Sequence, residues 1–273
     1  MKFSELKKWL RSGSWDFVVN SRTGVYSKNY GSFNWKNNTL YFRPGTADTG
    51  AIYEILIRPS KPQRANRIFF KQKKLEYWVP EEINPSVILD IGGNIGTTSV
   101  YFSNRFPRAK IYTFEPVVDN YKLLEKNATN SPNISTFNVG LGDHDGEIDI
   151  YECNEEGNTG GFSIYELDVD KSKKQTIILK NANKILADNN ITQVDLIKID
   201  TEGAEYDILT TIDKNTIAKT KWICGELHGH KDFELLGYLS EWFDIGINKK
   251  LYNRLSFFHA RNKLYADSIP WRG

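Results

Sequence analysis

Acidic residues and a histidine stand at the ends of two apolar runs in the C-terminal half of the chain, a pattern suited to proton transfer. Asp200 and Glu202 follow the first run, and Glu226 and His228 close the second. Carboxylates beside buried strands are costly unless they are solvated or used. In an open α/β sheet, ligands bind outside the carboxyl ends of the strands, where these side chains would lie. We predict that His228 is a general base, that Glu226 orients it, that Asp200 belongs to the catalytic group and also contacts the cofactor, and that Glu202 binds substrate.

The same residues have two other interpretations. A single histidine at a strand end is often structural. The carboxylates and the imidazole of His228 could instead offer oxygen and nitrogen ligands to Mg²⁺ or Mn²⁺. Nothing in their spacing fixes a coordination shell, so a divalent metal is possible but the sequence favours a site without one.

A glycine turn earlier in the chain has the residues expected of a nucleotide site. Asp90, Gly92, Asn94 and Gly96 follow a short apolar run and precede a helical pattern. Glycines allow a ligand to approach the backbone, and the first N–H groups of a helix point toward it. An acid two residues before the first glycine would repel a pyrophosphate but suits the cationic amino-acid end of S-adenosylmethionine. Glu115 lies about 20 residues further on, where a carboxylate commonly binds ribose hydroxyls. The alternative is a structural glycine turn that binds no nucleotide.

The elements that would position these residues alternate between strand and helix. Asp143, in the Gly-rich loop after the third strand, could contact an adenine amino group, or it could be an ordinary turn aspartate. The final pair of strands looks antiparallel. The prediction is an α/β domain with a mostly parallel sheet and helices on both faces, whose strands lie at 87–91, 110–114, 134–139, 195–199, 222–227, 243–247 and 255–261.

Residues 1–80 do not continue this alternation. The pattern predicts a helix over 1–11, one or two hairpins over 15–42 and a second helix over 49–58. Arg43 and Asp48 flank the turn between hairpin and helix. We predict an N-terminal extension over 1–80, a possible lid or acceptor-binding lobe with Arg43 and Asp48 on the substrate side, joined to a main domain over 81–273. An ordinary polar turn would explain the two residues equally well.

Composition restricts the partners and the compartment. The net charge of +2 comes from 36 basic and 34 acidic residues that are interspersed, which predicts no nucleic-acid surface. The chain has no apolar run of 18 residues and no signal-like N-terminus, so we expect no membrane span and a cytoplasmic protein. Cys153 and Cys224 are predicted to be reduced thiols. No feature predicts an oligomeric state.

Four segments together resemble the FkbM family of methyltransferases. They are RPGTAD at 43–48, DIGGNIG at 90–96 with FEP at 114–116, IKIDTEGAE at 197–205, and ELH at 226–228. The resemblance implies the class I, Rossmann-like methyltransferase fold and S-adenosylmethionine as methyl donor. It also implies O-methylation of a sugar, glycan precursor or secondary metabolite, commonly in surface-polysaccharide or natural-product biosynthesis. Gly93 stands where the family often has alanine, and Thr201 where it often has a β-branched apolar residue.

Other functions remain compatible with these patterns. The acceptor atom could be a nitrogen, a carboxylate or a phosphoryl-type oxygen. An NAD(P)-dependent oxidoreductase shares the strand, turn and helix, but it requires a further glycine and gives no role to IDTEGAE. An inactive binding protein on the same fold would be expected to have lost some of the polar site residues, which are all present.

Overall fold

The computed structural model describes residues 3–22, 30–57, 77–153, 162–163, 169–249 and 256–269. Its N-terminal part contains three short helices and one hairpin: α1 (Phe3–Ser12), α2 (Trp15–Asn20), β1 (Gly31–Trp35), β2 (Asn38–Phe42) and α3 (Asp48–Ile52), followed by a π-helical turn (Tyr53–Ile57). The predicted hairpin starting at residue 15 is wrong there. The Ser14 hydroxyl accepts the backbone N–H of Phe17 at 3.1 Å and starts a helix instead.

From Val87 onward the chain begins with regular alternation of strand and helix and is then interrupted by a second sheet. The first elements are β3 (Val87–Ile91), α4 (Thr97–Arg105), β4 (Lys110–Phe114), α5 (Val118–Ala128) and β5 (Ile134–Phe137). The inserted strands are β6 (Gly140–Gly142), β7 (Gly146–Cys153), β8 (Phe162–Ser163) and β9 (Val169–Asn181). The remaining elements are α6 (Ala182–Asp188), β10 (Leu196–Ile199), α7 (Glu205–Thr211), α8 (Lys214–Lys219), β11 (Trp222–Leu227), α9 (Asp232–Leu239), β12 (Phe243–Lys249), β13 (Ser256–Asn262) and a 3₁₀ turn (Lys263–Tyr265).

Seven strands form the central sheet in the order β12-β13-β11-β10-β3-β4-β5. The pairs among β5, β4, β3, β10 and β11 are parallel, and β13 runs antiparallel to both of its neighbours. Alternate strand residues face opposite layers: Leu89 packs in a cluster with helices α6, α7 and α9, whereas Ile88 packs in a cluster with α4. The predicted α/β class with a mostly parallel sheet is confirmed.

The inserted sheet has the order β6-β9-β7-β8. The loop predicted over Gly140–Asp143 is wrong in part, because residues 140–142 form β6 and pair in parallel with β9. Two glycines in three residues hid this strand, since glycine disfavours strands. Residues 154–161 and 164–168, between β7 and β9, lie outside the described residues.

A buried carboxylate joins the starts of β3 and β10. Asp195 accepts the backbone N–H groups of Ser86 at 2.7 Å and Val87 at 3.1 Å, and it pairs with Lys221 at 2.9 Å. Burial acts to raise the pKa of Asp195, but the lysine and the two amides outweigh it and hold the pKa below its usual value. The negative charge thereby fixes the two central strands side by side.

The described part of the first 80 residues packs against α4 and α5. Phe17 and Phe42 share an apolar cluster with Val100 of α4. Asn127 of α5 accepts the Tyr41 N–H at 2.7 Å and donates to the Tyr41 carbonyl at 3.0 Å. The lid or acceptor-lobe role remains a prediction, and residues 58–76 of this extension lie outside the described residues. Among the described helices, none has the length and apolar character needed to cross a membrane.

Candidate active site

A cavity of about 400 Å³ lies at the carboxyl ends of the central strands, within the size range of small-molecule sites. Five of the predicted cofactor residues line it: Gly92, Asn94, Glu115, Asp143 and Asp200. Glu202, which the sequence predicts to bind substrate, also lines it, and the inserted sheet forms the opposite wall. Asp90 and Gly96 do not contribute to its lining.

The glycine turn is shaped by the neighbouring strands. Gly92 has φ +78°, and a Cβ there would lie 1.7 Å from the Asp200 carbonyl oxygen. A Cβ on Gly93 would lie 2.3 Å from Thr113 Cγ2, which explains why alanine does not fit at this position in this chain. Gly96 has φ +84° and precedes the first turn of α4. Packing within the protein therefore requires Gly92 and Gly93 before any ligand binds.

Glu115 holds this turn from the end of β4. Its two carboxylate oxygens accept the backbone N–H of Asn94 at 2.8 Å and of Val117 at 2.9 Å. Burial raises the pKa of Glu115, and these two N–H groups oppose that effect. A carboxylate has about four lone-pair sites, so this one can still accept ligand hydroxyls from the cavity that it lines.

Asp90 is fully buried and is bound by protein groups. The parallel register places Lys198 directly opposite Asp90 on the adjacent strand, with Nζ 3.3 Å from Oδ1. The Ser99 hydroxyl donates to Oδ2 at 2.5 Å, and Lys198 also donates to the Gly92 carbonyl at 2.6 Å. Burial acts to lower the pKa of Lys198, but the charges of Asp90 and Asp200 raise it. Asp90 therefore affects the cavity indirectly, because it holds Lys198, which in turn binds the Gly92 carbonyl of the glycine turn.

Sequence reasoning did not identify Lys198, although one signal was present. It is the only charged residue in the apolar strand Leu196–Ile199. A lysine buried in a central strand requires an anionic partner, and Asp90 in the neighbouring predicted strand was the available candidate.

Five residues form what we call the acid–imidazole cluster, at the ends of β10 and β11: Asp200, Glu202, Glu205, Glu226 and His228. The Nδ1 atom of His228 lies 3.0 Å from Glu205 Oε1. Its Nε2 atom faces Asp200 Oδ1 at 3.6 Å, Glu202 Oε2 at 3.5 Å and Glu226 Oε2 at 3.7 Å. The structure thus brings the predicted catalytic residues together.

The carboxylate closest to His228 is Glu205, which lies in the first turn of α7. Its Oε1 also accepts the Thr201 N–H at 2.9 Å. Burial acts to lower the pKa of His228, but the hydrogen bond to Glu205 and the surrounding carboxylates raise it to about 10. Glu202 and Gly203 have φ +55° and +114°, so the chain bends sharply where it presents these acids.

Tyr77 is a second residue that the sequence did not reveal. Its hydroxyl lies 2.7 Å from Asp200 Oδ2 and 3.2 Å from Glu226 Oε1. The Lys198 Nζ lies 5.1 Å from the centre of its ring. No local pattern marks Tyr77, because it is 123 and 149 residues from the two acids in sequence.

Arg43 and Asp48 do not line the cavity. The Arg43 guanidinium binds Asp48 through two side-chain bonds of 2.8 Å each, and the Arg43 backbone N–H donates to the same carboxylate at 2.9 Å. Asp48 is buried, so the pair accounts for the polar turn after β2. Acceptor binding by either residue remains a prediction.

Comparisons with known proteins identify the family of this chain. The family described as Methyltransferase FkbM domain matches residues 90–260. The antimetabolite synthetase AmbE of Pseudomonas aeruginosa is 26% identical, and the match covers 54% of this chain and 8% of that protein. The methyltransferase sdnD of Sordaria araneosa is 29% identical over 48% of this chain and 61% of that protein. The 2-O-methyltransferase NoeI of Sinorhizobium fredii is 26% identical over 54% of this chain and 65% of that protein.

These matches each span less than two thirds of the relative's own length. Among solved structures, the fibrillarin pre-rRNA processing protein of Methanococcus jannaschii is 15% identical, with a TM-score of 0.42, 89% of this chain covered and 87% of that chain. The match to the family extends from the acid before the glycine turn to the last strand and includes both strand ends of the site. The chain belongs to the FkbM family of methyltransferases.

Proposed function

We propose that the protein transfers a methyl group from S-adenosylmethionine to a hydroxyl of a sugar or glycan precursor. One observation carries this proposal: the acid–imidazole cluster adjoins the cavity, and Asp200 and Glu202 belong to both. The sulfonium donor is already activated, so positioning can supply much of the barrier reduction, about 7–11 kcal/mol. A hydroxyl acceptor must also lose a proton, and a cluster of acids and imidazole beside the donor cavity is suited to that step.

The donor is assigned to the cavity. Glu115 would accept the ribose hydroxyls, Asp143 the adenine amino group, and Asp200 would contact the methionine end. Gly92 and Asn94 would approach the donor through the turn, whereas Asp90 and Gly96 would act by fixing that turn and the start of α4.

The acceptor is assigned to the cluster side of the cavity. Glu202 would bind it there, and Arg43 and Asp48 would take part only if their ion pair opened. His228, Glu226 and Asp200 would form the catalytic group. Because the pKa of His228 is raised to about 10, a carboxylate beside the imidazole would accept the acceptor proton. The 2-O-methyltransferase NoeI is similar to this chain over about half of this chain's length, which favours an oxygen acceptor. The carbohydrate hydroxyl and the role in polysaccharide or natural-product biosynthesis are proposed because the four segments that resemble the FkbM family imply them.

The test begins with the donor. Calorimetric titrations with S-adenosylmethionine, S-adenosylhomocysteine and NAD⁺ should give micromolar binding for the two adenosyl compounds and none for NAD⁺. The protein is then incubated with methyl-labelled donor and a panel of nucleotide sugars, oligosaccharides, amines, carboxylates and RNA. Label that appears as a methyl ether on a sugar supports the proposal. Binding of NAD⁺ alone, or label confined to RNA or to a nitrogen, would refute it.

A substitution pair separates chemistry from folding. Asp200→Asn should abolish most transfer while the fold persists, whereas Asp188→Asn on the exposed end of α6 should leave transfer unchanged. Equal activity of the two variants would remove Asp200 from the reaction.

A further inference from the structure

We propose that the acid–imidazole cluster binds one divalent cation of the Mg²⁺ or Mn²⁺ class through Asp200, Glu226 and the Nε2 atom of His228. This inference rests on the proposed function and deepens it, because the cation would hold the acceptor hydroxyl. One ligand atom from each of the three residues lies within 4.8 Å of the other two. Two carboxylates and one imidazole form a donor set that suits hard and borderline divalent metals.

The distances around Nε2 carry the argument. The Nε2 atom of His228 is 3.6 Å from Asp200 Oδ1 and 3.7 Å from Glu226 Oε2. Both separations are longer than a hydrogen bond, although the side chain is only 8% exposed. Two atoms that each bind one cation at about 2.1 Å lie roughly 3.0 to 3.4 Å apart in octahedral or tetrahedral geometry. The three groups therefore converge on a point at slightly more than coordination distance.

Contacts from Tyr77 and Glu205 orient the three side chains toward that point. Tyr77 contacts Oδ2 of Asp200 and Oε1 of Glu226, so that Oδ1 and Oε2 are the oxygens turned toward His228. Glu205 contacts Nδ1 of the imidazole, so that Nε2 faces the acids, and the cation would bind there in place of the Nε2 proton. A carboxylate on the second nitrogen of a ligating histidine, and hydrogen bonds on the ligating carboxylates, are the usual surroundings of a protein metal site.

The cation would assist the methyl transfer as a Lewis acid. The acceptor oxygen binds the cation, which lowers the pKa of the hydroxyl. Its proton passes to the carboxylate of Glu202, which lines the cavity and is 37% exposed. The oxygen then forms a bond to the methyl carbon as the carbon–sulfur bond breaks, and the sulfur keeps that electron pair in S-adenosylhomocysteine. The proton leaves Glu202 to solvent after the ether is released.

The test is titration of the full chain with Mn²⁺, followed by calorimetry and by electron paramagnetic resonance. The wild-type protein should bind one Mn²⁺ per chain, and Mg²⁺ should displace it. Glu226→Gln and His228→Ala should weaken Mn²⁺ binding more than tenfold. The matched substitutions Glu234→Gln, on the exposed face of α9, and His230→Ala, two residues away, should leave it within twofold.

A more conservative variant controls for loss of binding that is caused by unfolding. Tyr77→Phe keeps the aromatic ring but removes the hydroxyl, and the loss of such an outer contact should weaken Mn²⁺ binding by about 10- to 100-fold. A folded wild-type chain that takes up no Mn²⁺ at millimolar concentration overturns the proposal, and so does Mn²⁺ uptake that His228→Ala leaves unchanged. S-adenosylhomocysteine is titrated in parallel. Binding of S-adenosylhomocysteine without Mn²⁺ uptake refutes only the cation, whereas Mn²⁺ uptake without binding of S-adenosylhomocysteine refutes the proposed function.

Discussion

The substitution Glu115→Gln tests whether the carboxylate at the end of β4 binds the donor ribose or only supports the glycine turn. The structure allows both roles, because Glu115 accepts two backbone N–H groups and also lines the cavity. Glutamine keeps the size of the side chain and one acceptor oxygen but removes the negative charge. We expect the variant to fold and to bind the donor more weakly.

The expected loss follows from the charge of the acceptor. A hydrogen bond to a charged group contributes about 1.5–3 kcal/mol, and one between neutral groups about 0.5–1.5 kcal/mol. The difference is roughly 1–1.5 kcal/mol for each ribose hydroxyl. Two hydroxyls therefore give about 2–3 kcal/mol, or roughly 30- to 150-fold in Kd, since each 1.4 kcal/mol is tenfold.

The assay is a thermodynamic cycle rather than a single titration. Calorimetry measures S-adenosylhomocysteine and an analogue that lacks the 2′ and 3′ hydroxyls against wild type, Glu115→Gln and the surface control Glu125→Gln. The glutamine amide can no longer accept both backbone N–H groups, so we expect the substitution at 115 to weaken both ligands, the complete ligand by about 30- to 150-fold more than the analogue, and the control to weaken neither. An equal loss for both ligands would refute the ribose contact and assign Glu115 to support of the turn through Asn94 and Val117.

Three further predictions concern the scaffold that holds the site. Asp195→Ala should lower the free energy of unfolding in urea by about 3–5 kcal/mol, because it leaves a lysine and two amides unpaired, whereas exposed Asp188→Ala should change it by less than about 0.5 kcal/mol. Folding lowers the pKa of Asp195, so the ionised carboxylate stabilises the fold above about pH 4, and this stabilisation is lost as the pH falls through the folded-state pKa. The difference in unfolding free energy between wild type and Asp195→Ala should therefore decrease in acid. An increase of that difference in acid would contradict the reasoning. Gly92→Ala should lower the free energy of unfolding by more than about 4 kcal/mol in the same assay, because its Cβ would collide with the Asp200 carbonyl oxygen. Gly237→Ala, in open space on α9, should raise the free energy of unfolding by up to about 1 kcal/mol. Similar effects of the two substitutions would contradict the collision at Gly92. Asn127→Ala should release β2 from α5 and speed limited proteolysis before residue 57, and an unchanged digestion pattern would argue that the apolar cluster alone holds the hairpin.

The sequence predicted the central strands accurately because their chemistry is local. Strands β3, β4 and β11 have the predicted bounds 87–91, 110–114 and 222–227. Each is a short, largely apolar run, which is typical of buried parallel strands, and the residues that follow the three runs are Gly92, Glu115 and His228. The helix α2 was missed because Trp15, Phe17 and Val18 favour strands by residue type, whereas the cap from Ser14 decides the local structure.

Parts of the site were predictable and parts were not. Asp200, Glu226 and His228 were identified because strand ends converge in a parallel sheet, and the structure brings them together. The contacts that orient them are not local. Tyr77 reaches the acids across more than 100 residues of chain, and the contact between Glu205 and His228 depends on the bend at 202–203.

The pairing register of β3 and β10 connects the donor turn to the acid–imidazole cluster. It sets Lys198 opposite Asp90, and the same ammonium group donates to the Gly92 carbonyl and lies 3.9 Å from Asp200 Oδ2. The buried ammonium group of Lys198 therefore lies between the glycine turn and Asp200 of the acid–imidazole cluster. A shift of one residue in this register would turn Lys198 to the opposite layer and leave Asp90 without its ion pair. The sheet register thus positions both the glycine turn and the acid–imidazole cluster. Asp90 contributes to the site by holding Lys198 in place, although Asp90 does not line the cavity.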